Sequence, residues 1–181
     1  MRLTEFTDMA ADAECRRLLM VLGAQRRVQN AWFGCESVGT IEFKADAAFT
    51  GGMRALFRYA RGEAVPYVIV RDFLDDLLNL MFCGLGSNHL ALPPFSRMAD
   101  KPWALAWRVA ELRMAWEGHE TMDVPQMAHL LGIRQTELLA QIESQGMSLT
   151  GGNVPRGFLQ QMLDKLKSES FLGDRTALFS S

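Results

Sequence analysis

The segment that most restricts this chain is residues 122–139, "MDVPQMAHLLGIRQTELL". Two apolar-periodic stretches meet there at Gly132, with Ala128 midway along the first and Met127, Leu131, Ile133 and Leu138 flanking the glycine. Two helices joined this tightly need a small residue where they cross. They also need a turn residue that tolerates left-handed backbone, and apolar residues to lock the angle. The pattern meets all three demands and predicts helices over about 124–131 and 134–144. Thr121 or Asp123 is placed to cap the first, and Pro125 occupies its first turn, where a missing N–H costs little.

The neighbouring residues extend the pattern. Trp103 to Glu117 reads as a preceding helix opened by Pro102, with Trp103, Trp107, Ala110 and Met114 on one stripe. "GMSLTGGNVP" reads as a small hairpin turning at Gly-Gly-Asn, and a last helix over about 156–169 carries Phe158, Leu159, Met162, Leu163 and Leu166. Over residues 121–168 the chain resembles the helix–turn–helix of bacterial and phage regulators, in the winged variant of the excisionase and MerR type. The resemblance implies that the second helix enters the major groove of double-stranded DNA. Arg134, Gln135, Thr136 and Gln141 would then face the groove, and Arg156 beside the hairpin would touch a phosphate. The chain departs from the pattern in two ways: the reading helix also carries Glu137, Leu139, Ala140 and Glu143, and Ile142 lies one position late. Asp123, Glu137 and Glu143 against Arg134 leave the two-helix unit negative, whereas phosphate neutralisation normally supplies much of the affinity.

The first half is read as helical too. A helix is expected from Thr7 or Asp8 to Leu22, interrupted at Gly23, and a second from Ala24 to Phe33. "SVGTIEFKA" is the best strand candidate and "FTGG" a turn. Helices follow over 53–61 and 68–82, the latter with Arg71, Asp72, Asp75, Asp76 and Asn79 on its polar face. The Gly-, Ser- and Pro-bearing stretch up to Pro102 suggests a boundary. The expected organisation is a helical N-terminal half over 1–86, a linker over 87–102, and a C-terminal half over 103–181. The fold class is mainly α: a helical bundle with a C-terminal helix–turn–helix and a small β-hairpin wing.

Charge is uneven along the chain. Residues 16–71 hold nine basic and four acidic side chains, although the whole chain is at −2. All of these basic residues but Lys44 are arginine, whose planar fork suits phosphates and base edges. Gln25, Arg26, Arg27 and Asn30 follow Gly23 and could bond bases and phosphates. With Arg16, Arg17, Arg54, Arg58 and Arg61 they are expected to form one positive surface; the bland alternative is a solvated face. "LLMVLGAQRRVQN" also echoes "AHLLGIRQTELLA", and a Thr-Gly-Gly follows each, at Thr50 and Thr150. The unequal offsets of the two pairs favour chance over duplication.

Other functional classes find less support. Cys15, Cys35 and Cys83 form no CxxC pair, which suggests reduced thiols in a cytoplasm. The start lacks the layout of a secretion signal, and no apolar run reaches the roughly 18 residues that span a bilayer. His89, His119 and His129 lie far apart. Cys83 and His89 supply too few ligands for zinc, and the Asp72, Asp75, Asp76 cluster lacks an evident partner. No catalytic constellation, metal or cofactor is expected. The reading is a cytoplasmic, non-enzymatic DNA-binding regulator of transcription or of a mobile element, with a homodimer compatible with palindromic sites. The alternative is a protein-interaction module whose helix–turn–helix has lost DNA contact, with Leu139 and Ala140 meeting a protein partner.

Overall fold

The computed structural model describes residues 3–32, 47–82 and 101–168. The expected strand at 37–45, the Cys83–His89 stretch and the tail lie outside these residues. So do the side chains of Gln25, Arg26, Arg27 and Asn30. Among the described residues a short 3-10 turn, Leu3–Glu5, precedes seven α-helices: α1 Asp8–Trp32, α2 Ala47–Arg61, α3 Tyr67–Phe82, α4 Pro102–Glu117, α5 Val124–Leu131, α6 Gln135–Ser144 and α7 Arg156–Ser168.

Helix α4 is the hub. Pro102 sits in its first turn, and eleven of its sixteen residues are buried, from Trp103 to Ala115. The stripe through Trp103, Trp107, Ala110 and Met114 is therefore only part of its apolar surface: Leu105, Val109 and Leu112 bury other sides. A helix apolar nearly all round must be covered nearly all round. Helix α2 packs on it from the N-terminal half and α7 from the C-terminal end, while α1 and α3 pack on α2. Buried residues from Phe6 to Leu163 form one hydrophobic cluster, so chain on both sides of 87–102 contributes to the same core. None of the helices, among the described residues, is long and apolar enough to cross a membrane.

Three expectations about glycine are corrected. Gly23 does not divide two helices; it is buried inside the continuous 25-residue α1. An interior glycine costs a helix only about 1 kcal/mol, which packing along α1 overrides. "FTGG" is likewise helical, within the first turns of α2. A Cβ on Gly52 would lie 2.1 Å from Cδ2 of Phe73, so the residue is small because α2 and α3 approach closely there. The β-hairpin wing is not formed. Thr150 and Asn153 close a tight turn through paired backbone hydrogen bonds of 3.3 and 3.1 Å, but the turn has no strand arms. Asn153 instead bridges to Asp123, the Val154 N–H donates to the Met122 carbonyl at 2.8 Å, and the Val154 side chain is buried. Pro155 and α7 follow at once, leaving no residues to extend an arm.

These corrections also remove the echo between the halves. Gly132 is a left-handed turn residue whereas Gly23 is mid-helix, and Thr-Gly-Gly is helix at 50–52 but turn at 150–152.

The close approach at Gly52 yields a paired test. Gly52→Ala should lower unfolding free energy by about 1–3 kcal/mol through overpacking against Phe73. Gly51→Ala, one residue away with open space around its Cβ, should instead raise it by about 0.5–1 kcal/mol. Urea unfolding of the two variants reads the contrast.

Candidate functional site

The corner at residues 123–144 is built as its sequence requires. Asp123 caps α5 in a reciprocal capping box: its carboxylate accepts from the Gln126 N–H at 2.7 Å, and the Gln126 side chain accepts from the Asp123 N–H at 2.9 Å. Gly132 ends α5 in left-handed backbone, φ 68°. The Ile133 N–H then reaches back to the Ala128 carbonyl at 3.0 Å, which satisfies an otherwise orphaned acceptor. Ala128, Met127, Leu131 and Leu138 are buried, and Ile133 is packed against the core. Ile142 is buried as well, so its displaced register still serves the core.

The corner is tied to the bundle at both ends. On the entry side, the connector from Gly118 to Asp123 carries His119, stacked on Tyr67 of α3 at 4.0 Å, and Glu120. Arg71 of α3 grips Glu120 through two bonds of 2.8 and 2.7 Å, and reaches both Glu111 oxygens at 3.1 Å. Burial opposes the Arg71 charge, but Glu111 and Glu120 outweigh it and raise its pKa. Beside it, Glu117 accepts from the Tyr59 hydroxyl and from Arg113, each at 2.6 Å. Burial alone would raise the Glu117 pKa; these two donors overcome it and hold the carboxyl below its ordinary range. Burial, reinforced by the bond to Glu117, pushes the Tyr59 phenol well up. On the exit side, Asn153 and Val154 pair with 122–123, and α7 returns to α4.

The proposed groove-facing residues Arg134, Gln135 and Thr136 are all exposed at the start of α6, and Gln141 is partly buried. The Arg134 side chain keeps 85% of its surface, and its guanidinium lies 3.9 Å from Glu137. Arg156 is exposed at the start of α7 with its guanidinium 5.7 Å from the Trp116 ring centre. Trp103 and Trp107 are core, and Trp116 packs against it.

The arginines of α2 are arranged differently. Arg54 forks onto Asp12 with bonds of 2.7 and 2.6 Å, and Arg58 forks onto Asp8, with its Nε bond at 2.8 Å. Arg61 pairs with Glu63, and Arg17 with the buried Glu14. Arg54 and Arg58 thus dock on the acidic start of α1 and Arg61 pairs locally with Glu63, rather than presenting open forks. The missed signal was the acidic spacing Asp8–Asp12, one turn apart and complementary to Arg54–Arg58. Among the described residues no group of three His, Cys, Asp or Glu side chains could hold a metal ion. No protein-family model, curated protein or solved structure matches the chain.

Hydrogen bonds from Arg58 and Arg54 hold the Asp8 and Asp12 carboxyls below their ordinary value of 3.8. A depressed folded-state value adds stability above the unfolded value, and this is lost as pH falls through the folded one. The urea midpoint of the native chain should therefore drop as pH falls below about 4. In Asp8→Asn/Asp12→Asn this part of the drop should be absent, with the midpoint already lower at pH 7.

Proposed function

We propose that the chain binds double-stranded DNA through α5 and α6, as a regulator of transcription or of a mobile element. Arg134, Gln135 and Thr136 contact base edges and Arg156 contacts a phosphate. One observation carries this reading: an arginine occupies the N-cap of α6 and makes no side-chain cap bond. Ser, Thr, Asn or Asp at an N-cap stabilises a helix by about 1 kcal/mol. A cation at the positive end of the helix dipole acts in the opposite direction, by about 0.3–1 kcal/mol. Helix α4 tolerates a similar N-cap, Lys101, because eleven buried residues hold it, but α6 buries only Leu138 and Ile142. A local rule broken where little compensates is characteristic of a functional position.

The competing arginines are less available. Leaving Glu137 breaks one exposed i,i+3 pair worth about 0.2–0.5 kcal/mol. Arg54 and Arg58 would each have to break two charge-assisted bonds to reach a phosphate. DNA contact is accordingly assigned to the exposed starts of α6 and α7. Arg156 gives one phosphate-directed charge, so log K should fall against log salt with a shallow slope of about −1.

A second reading, contact with a protein partner, is favoured by the net charge of −2 on the α5–α6 unit and by Leu139 and Ala140 on α6. Duplex retention against salt separates the two. Arg134→Ser should weaken binding by about 5- to 100-fold, and Arg156→Ala should reduce the slope magnitude by about 1. Arg134→Ser should also raise the Tm by about 3 °C through capping. Absence of duplex retention by the native chain at low salt would remove the DNA reading and leave the protein-contact one.

A further inference from the structure

The acidic residue on the reading helix has chemistry of its own. Arginine offers only donors and a carboxylate only acceptors. In the major groove guanine presents the acceptors N7 and O6, while cytosine presents the N4 amine as a donor. Arg134 and Glu137 therefore match the two bases in opposite senses. They stand three residues apart on the same side of α6, 3.9 Å between Nε and Oε2, with side-chain exposures of 85% and 44%. Three residues advance a helix by about 4.5 Å, close to the ~3.4 Å between successive bases on a strand, so the pair is spaced to meet neighbouring base pairs.

Building on the DNA reading above, we propose that Glu137 is a specificity determinant that accepts from a cytosine amine beside a guanine held by Arg134. The target then contains adjacent G and C at the position read by the start of α6. A carboxylate repels phosphates and lowers affinity for every duplex. When the facing base offers no donor, the carboxylate is desolvated without a partner, which penalises the wrong base. Cytosine N4–H₂ offsets that penalty with no acceptor beside it on the same base, whereas the adenine N6 amine stands next to the N7 acceptor, which repels the carboxylate. The acid that makes α6 a weak general DNA binder thereby makes it a selective one.

The experiment is selection from a randomised duplex pool, followed by competition binding of single-base variants of the selected site. Native protein, Glu137→Ala, Glu137→Gln and Arg134→Ala are compared, with the Tm of each checking the fold. The native chain should select adjacent G and C and discriminate against replacement of the cytosine by about 5- to 100-fold. Glu137→Ala should lose that preference, keep the guanine preference, and bind random duplex more tightly. Glu137→Gln should shift the preference toward adenine, which a carboxamide bonds through N6 and N7. Arg134→Ala should lose the guanine preference. Equal tightening of Glu137→Ala on all sequences, with no change in base preference, would overturn the proposal and leave Glu137 as a helix-end charge. Failure of the native chain to retain any duplex would overturn the DNA reading itself, a distinguishable result.

Discussion

Burial of α4 on nearly every side is the constraint from which the rest of the architecture follows. Trp103, Leu105, Trp107, Val109, Leu112 and Met114 cannot be covered by one neighbour, so α2 and α7 both pack on this helix. The α5–α6 pair lies in the chain between α4 and α7. It enters from the end of α4 and leaves through Asn153 and Val154, which pair with 122–123. Two short helices, of eight and ten residues, would be marginal alone. Fixed at both ends, they can keep one exposed face free of structural duty.

Charge is divided along the same lines. Within the bundle, acids and arginines are consumed in pairs: Asp8 with Arg58, Asp12 with Arg54, Glu117 with Arg113, and Glu111 and Glu120 with Arg71. The last of these fixes the connector leading into α5. Arg134 and Arg156, at the starts of α6 and α7, stand outside the strong forks. Their contacts, a 3.9 Å pair and a ring at 5.7 Å, are weak enough to exchange for a ligand.

Much of the corner was legible because its rules are local. Asp123, Pro125, Ala128 and Gly132 lie within ten residues, and cap, turn and crossing follow from short-range side-chain hydrogen bonding and backbone sterics. Helix α4 was legible from Pro102 and its tryptophans, although its apolar stripe understated the burial. The rest depended on distant partners. Gly52 looked like turn chemistry, and only Phe73, twenty-one residues on, explains it as helix packing. Arg54 and Arg58 looked like an open basic face because Asp12 and Asp8 lie 42 and 50 residues away. The hairpin failed because Asn153 and Val154 pair with 122–123, a contact no short window contains. Of the site, the exposure of Arg134, Gln135 and Thr136 was legible; the N-cap role of Arg134 needed the helix boundary itself.

The division between a paired scaffold and an exposed reading edge is tested most directly by amide chemical-shift perturbation as mixed-sequence duplex DNA is titrated at low salt. Shifts should concentrate at residues 134–137 and 156, with α1 and α2 little changed. Shifts confined to the α1–α2 face, or none at any residue, would contradict that division.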